Sequence, residues 1–302
     1  MSNQMETQKV KFSKAITSQT YQRLISNTLG DKKKAEKYTA AIMSAVATNP
    51  ALQDCDAASI LSGSLLAESL NLSHSPQLGR YYLVPFKDKK AGTTKAQFIL
   101  GFKGYIELAV RSGQYKSINA LPVKEGELIS YDPFNDEIEL RAIQDPDERE
   151  KANTIGYYAM FEYLNGFKKV LYWSKKQMIR HADRYSPAFS ANATKGKYPK
   201  VSFEDYEAGR YDKNDEWLYS SFWYKDFDGM ACKTMLRQLI SKWGIMSADM
   251  QTAVTADNST VEMNDNGILA PQQIEEVETV PNEPMQETAQ LVDAAEINID
   301  DL

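Results

Sequence analysis

Asn165-Gly166 separates two strand-like runs rich in aromatic and aliphatic side chains, residues 155–164 and 167–173. Asn-Gly supplies the two positive-φ residues that a type I′ hairpin turn requires, so the middle of the chain is predicted to be an antiparallel strand pair. Other segments fall into line around it. Residues 81–86 and 95–100 read as strands joined by the polar loop 87–94, and residues 115–123 and 127–143 are strand-like. Helical spacing governs residues 33–47 and 56–70, the latter with Asp54 or Asp56 as N-cap. It returns over 102–112, which Gly113 ends, and from Ser174 to about Tyr185. In a last helix over 227–243, Leu236, Leu239, Ile240 and Trp243 fall at i, i+3, i+4 and i+7 and make one apolar face. The expected fold is therefore α+β, a small and mainly antiparallel sheet with helices packed on it. Residues 186–216, rich in Pro, Gly and charge, read as a functional loop or an extra hairpin.

Charge divides the 302-residue chain sharply. Its formal net charge is −6, yet Lys242 is the last basic residue, and thirteen carboxylates without a counter-charge lie between Gly244 and Leu302. Residues 1–243 thus carry 35 basic against 28 acidic side chains, a net +7. A basic body with an acidic tail is the asymmetry of a protein whose partner is a polyanion. Beyond residue 247 there is no aromatic residue, and Pro271, Pro281 and Pro284 interrupt the polar stretch. Such a segment buries too little surface to offset chain entropy. Three parts are expected: a flexible arm over 1–34, one nucleic-acid-binding domain over 35–247, and a disordered acidic tail over 248–302, with a short helix near 285–296. The two cysteines, Cys55 and Cys232, and two histidines, His74 and His181, cannot assemble a Cys/His zinc site, so no metal or cofactor is implied. Low cysteine use fits a reducing cytoplasm. No secretory segment opens the chain, and no apolar run reaches the roughly 18 residues of a membrane span.

The densest positive charge runs from Phe167 to Lys200, nine Lys or Arg against Asp183. Within it Lys176, Arg180 and Arg184 repeat every four residues, one stripe along one helix face, with Met178, Ala182 and Tyr185 toward the other side. Three cations in a row match the charge repeat of a phosphate backbone; a solvated helix face would look the same. A second basic region, Arg80 to Lys116, centres on Gly101-Phe102-Lys103-Gly104-Tyr105. Glycines at a strand-to-helix junction can bring backbone N–H groups to a phosphate, while Lys103, Glu107 and Arg111 on one face also fit an ion-pair ladder. Lys233 and Arg237, one turn apart beside the last helix's apolar face, serve either as fixed phosphate contacts or as charges snorkelling at a packing edge. Seventeen Tyr and four Trp supply rings for base stacking, and Tyr105, Tyr115, Tyr185, Tyr198 and Tyr211 lie among the cations.

Enzymatic motifs are sparse. No GxxxxGK[ST] occurs, since Gly196-Lys197 is followed by Tyr198, which argues against ATP use. Asp132, Asp136, Glu137 and Glu139, with Arg141, are the nearest thing to a metal-dependent nuclease's carboxylate set, but they are strung along one segment whose alternation turns them to opposite faces.

Three ordered segments carry a resemblance: Leu78-Gly79-Arg80-Tyr81-Tyr82-Leu83-Val84-Pro85-Phe86, then the stretch from Gln97 through Gly101-Phe102-Lys103-Gly104-Tyr105 to Gly113, and then Phe227-Asp228-Gly229-Met230-Ala231-Cys232-Lys233-Thr234-Met235-Leu236-Arg237. Over residues 35–245 the chain resembles the RecT family of phage and prophage single-strand-annealing recombinases. The resemblance implies an ATP-independent, non-enzymatic protein of the bacterial cytoplasm that coats single-stranded DNA, pairs it with a complementary strand and assembles into rings or helical filaments. It also implies a basic groove in a core distantly like the annealing protein Rad52, a partner exonuclease, and contact with the host's single-strand-binding protein. Lys103, Arg111, Lys116, Lys233 and Arg237 become its phosphate-contact residues. A passive single-strand coating protein is the nearest alternative, and a nuclease using residues 132–139 the more distant one.

Overall fold

A computed structural model describes residues 12–88, 92–186, 188–190, 199–264 and 267–273. The elements are α1 Phe12–Ile16, α2 Gln19–Leu29, α3 Lys32–Thr48, α4 Ala57–Ser69, β1 Tyr81–Asp88, β2 Thr93–Leu100, α5 Phe102–Arg111, β3 Tyr115–Lys124, β4 Leu128–Asp132, β5 Glu137–Leu140, α6 Pro146–Lys151, β6 Thr154–Tyr163, β7 Lys168–Ser174, α7 Lys175–Tyr185, α8 Phe203–Glu207, α9 Phe222–Lys225, α10 Phe227–Trp243, α11 Ala248–Ala256, β8 Ser259–Met263 and β9 Leu269–Gln273. All strand pairings are antiparallel, in sheets of order β1-β2-β8-β9, β3-β6-β7 and β4-β5. The class is α+β, as expected, with three sheets in place of one.

Side chains at the helix starts set the boundaries. Asp56 caps α4, Asp226 caps α10, and Ser174 with Gln177 forms a capping box on α7, each satisfying backbone N–H groups that the first turn leaves unpaired. α10 lies across β3, β6 and β7 and against α5. Its Met235, Leu236, Leu239 and Ile240 are fully buried with Tyr157 and Phe161 of β6 and Tyr105 of α5. Trp243, assigned to that apolar face, is 39% exposed at the end of the helix.

The central hairpin forms, but with another turn. Only Gly166 has a positive φ, 87°, and its N–H donates to Tyr163 O while Tyr163 N–H donates to Phe167 O. This is a three-residue loop ending in a single left-handed residue, so Asn165 stays out of the left-handed region and instead accepts from Phe167 N. The strand-like stretch 127–143 is a second hairpin, β4-β5.

Both expected outer boundaries move. Residues 12–34, taken for a flexible arm, fold as α1 and α2 and bury Phe12, Ile16 and Ile25 against Tyr38, Ile42 and Val46 of α3 and Leu61 and Leu65 of α4. Residues 248–273, taken for disordered tail, form α11, β8 and β9. Met250, Ala253, Ala256 and Val261 are buried there, and β8 completes the first sheet beside β2. Aliphatic side chains without any aromatic suffice because the partner surface on α4, α5 and β2 is already apolar. The rest of the expected tail and the helix near 285–296 lie outside the described residues. The segment 186–216 holds α8 and a 3₁₀ turn, Lys213–Tyr219, around a cluster of Phe189, Phe203, Tyr206, Tyr219 and Tyr224.

Candidate nucleic-acid interface

The α7 stripe faces outward. Met178 and Ala182 are buried on one side of the helix, and Lys176, Arg180 and Arg184 are exposed on the other. None of the three has an ion-pair partner among the described residues. Tyr185, expected to pack inward, is instead 52% exposed, with the Arg184 guanidinium 5.3 Å from its ring centroid.

Between α7 and α10 lies His181, held by Trp173 at 5.2 Å and Tyr185 at 4.7 Å between ring centroids. Burial, and then the positive charges of Arg237, Lys242 and Arg184, push its imidazole down to about 4. Charges from two helices, 58 residues apart at Arg184 and Lys242, are thus felt at one ring. Lys169 and Lys242 both stand over the partly exposed Trp243, at 4.6 and 5.8 Å from its centroid. Sequence reading missed His181, Lys169 and Lys242, because their charges converge only once β7, α7 and α10 are packed.

Lys233 and Arg237 behave differently. Both reach Asp257 at 3.2 Å, Lys233 Nζ on Oδ1 and Arg237 Nη1 on Oδ2. The same carboxylate accepts from Leu100 N and Tyr105 OH, each at 2.9 Å. Asp257 is 2% exposed and Lys233 9%. Burial pushes the Lys233 ammonium down and Asp257 holds it up. The expected phosphate contact at Lys233 is corrected accordingly: a buried ammonium beside a buried carboxylate cannot leave for DNA without stranding that carboxylate. Arg237 keeps part of its side chain in solvent, at 36% exposure.

The other expected contacts divide. Arg111 donates from Nη2 to Leu70 O at 2.6 Å and ties α5 to the end of α4. Lys116 is salt-bridged to Glu162 across β3 and β6 at 2.6 Å. The predicted ladder on α5 takes a different partner, since Glu107 binds Arg80 at 2.8 Å and Arg111 lies 4.0 Å away. Lys103 is exposed, without an ion pair among the described residues. It borders a cavity of about 410 Å³ lined also by Tyr82, Phe102, Pro122, Asp226 and Asp228.

The Gly101 and Gly104 pair does not cradle a phosphate. A Cβ at Gly101 would sit 2.0 Å from Gly79 O, and one at Gly104 2.1 Å from Arg80 O; the Gly101 N–H is spent on Arg80 O at 2.8 Å. These glycines let residues 79–80 cross the start of α5. Of the tyrosines placed among cations, Tyr105 is fully buried, Tyr115 donates to Ile245 O, and Tyr211 stacks on Tyr206; Tyr198 lies outside the described residues. Two of the nuclease-like acids are engaged locally. Asp132 accepts from Phe134 N, Asn135 N and Asn135 Nδ2, and Asp136 pairs with Lys169 at 2.7 Å.

Against known proteins, a model of the RecT family matches residues 36–270. The chain belongs to the RecT family. The match runs past residue 247 and takes in α11, β8 and the start of β9, in agreement with their place in the fold. Protein RecT of Escherichia coli K12 is 29% identical over 227 residues, 73% of this chain and 71% of that protein. An uncharacterized protein of Bacillus subtilis 168, YqaK, is 39% identical over 233 residues, 77% of this chain and 68% of that one. Membership places the chain among proteins of DNA recombination that bind and anneal single strands and that oligomerise. Among the described residues no helix is long and apolar enough to cross a membrane.

Proposed function

We propose that this RecT-family chain binds single-stranded DNA without regard to base sequence and anneals complementary strands without ATP. Its contact surface is the α7 stripe of Lys176, Arg180 and Arg184, continued by the exposed part of Arg237 and by Lys242. The observation that carries this reading is the α7 stripe itself, three cations exposed and without ion-pair partners among the described residues, beside the exposed ring of Tyr185. Like charges gathered this closely repel unless an anion lies among them, and a phosphate backbone supplies one at regular spacing. Tyr185 and Trp243 offer stacking faces that accept any base. The surface neutralises two strands that otherwise repel, leaving base edges free to test pairing. Lys103 is a separate, outlying contact. Arg111 and Lys116 act on DNA less directly, through the elements they tie together. An exonuclease that supplies single strands and a host single-strand-binding protein are the partners the family likeness favours.

The test mixes end-labelled complementary oligonucleotides with the full chain in the absence of nucleotide. Annealing faster than the protein-free rate, with full-length strands recovered, is the expected result. Binding without acceleration would reduce the protein to a passive coat, and shortened strands would point to a nuclease.

A further inference from the structure

The β4-β5 hairpin presents a side chain that the fold of a lone chain leaves bare. Phe134 is 95% exposed at its tip. The tip is firmly built: Asp132 accepts from the N–H groups of Phe134 and Asn135, and Asp136, at φ 55°, is clamped by Lys169 at 2.7 Å. The backbone that carries the ring is thus ordered in advance, which lowers the cost of docking. Ile129 and Leu140 of the same hairpin are also exposed, at 50% and 37%. Around them the charge is one-sided, since residues 125–150 hold ten acids and two arginines. At the tip Glu137 and Glu139 are exposed, without ion-pair partners among the described residues.

The N-terminal helices carry the opposite charge. Residues 12–37 hold six Lys or Arg against Asp31 and Glu36. Lys34 is paired with Glu68 at 3.1 Å, whereas Lys33 and Lys37 on α3 are exposed, with no ion-pair partner among the described residues. One and two turns further along their row, α3 borders a cavity of about 570 Å³, lined by Ala41, Ser44 and Ala45 of α3 with Pro76 and Leu78, and by Glu68 and Glu107, whose carboxylates are already held by Lys34 and His74 and by Arg80. The cavity has room for an aromatic ring together with the turn that carries it.

We propose that the hairpin tip of one copy docks into the α3 cavity of the next, with Phe134 seated against Ala41, Ser44 and Ala45 and Glu137 and Glu139 meeting Lys33 and Lys37. The occupant is a second copy because both halves of the match, an acidic knob and a cavity beside a basic helix row, lie on this one chain. The two surfaces differ, so the contact is heterologous and propagates into a ring or a helical filament. It specifies how copies join and is independent of which residues hold DNA.

Sedimentation velocity over a concentration series, on the full chain alone and on a long single strand, tests it. Phe134→Ala removes the knob and Ser44→Trp fills the cavity; both positions are exposed, and each change is expected to weaken self-association about thirtyfold, the effect of losing an aromatic hot spot. Mixed together, these two variants are expected to form dimers and nothing larger, because one intact knob and one intact cavity remain between them. Lys33→Glu with Lys37→Glu is expected to weaken assembly, and adding Glu137→Lys with Glu139→Lys to restore it. Wild-type assembly of Phe134→Ala, no dimer in the mixture, or no rescue by the charge swap would each overturn the proposal. So would a loss of affinity for an oligonucleotide too short to bridge two subunits, since that would place these side chains in the DNA surface.

Discussion

Two helices carry cations at four-residue spacing, and the fold uses them in different ways. On α7, Lys176, Arg180 and Arg184 stand in solvent with no ion-pair partner among the described residues. On α10, Lys233 and Arg237 converge on a single buried carboxylate that arrives from a segment 20 residues further along. Spacing alone makes the two pairs of turns look alike. What separates them is the hydration of the partner: a charge facing water is available to a phosphate, and a charge facing Asp257 is already committed to a buried network. The α10 pair is therefore mainly architectural, joining α5, β2 and α10 to the C-terminal segment, and the α7 stripe is the open surface.

This contrast breaks first at the C-terminal segment. A chain ending after residue 247 loses α11, β8, β9 and Asp257 together, leaving Lys233 buried without a counter-charge and β2 without its neighbour. Loss of cooperative melting and of soluble expression is expected. A chain ending after residue 273 keeps every described element, and its melting temperature is expected to match that of the full chain.

A smaller, sharper break is the substitution Asp257→Ala. Removing one partner of a buried pair strands the other, at a cost of about 3–5 kcal/mol, and here Leu100 N and Tyr105 OH lose their acceptor too. Urea unfolding is expected to show that loss. Lys233→Met is expected to lose less, because Arg237, Tyr105 and Leu100 N still serve Asp257. A variant at 257 as stable as wild type would contradict the architectural role of the α10 pair.

Much of the frame was legible in the sequence. The bounds of α10, the start of α7 at Ser174 and the pairing of β1 with β2 follow from local periodicity and caps, which depend on neighbours in sequence. The turn at Asn165-Gly166 escaped because both a two-residue and a three-residue loop accept the dipeptide, and strand register decides between them. The last folded segment escaped for another reason. Its Ser247 cap and the spacing of Met250, Ala253 and Ala256 are helical, but acidic composition outweighed that pattern. A carboxylate counted as tail charge thereby hid the partner of Lys233 and Arg237. His181 was silent too, since a lone histidine shows nothing until the charges of α7 and α10 act on it in the fold.

The salt dependence of single-strand binding bears most directly on which helix faces the DNA. Each phosphate neutralised contributes a slope of about −0.7 in log K against log salt for single strands. The variant carrying Lys176→Ala, Arg180→Ala and Arg184→Ala is expected to bind more weakly, with a slope shallower by about 2, and to melt as wild type. Lys233→Met, measured beside it, is expected to keep the wild-type slope while its melting temperature falls. An unchanged slope in the α7 triple variant, with a shallower one in Lys233→Met, would contradict the assignment and hand the DNA contact to Lys233.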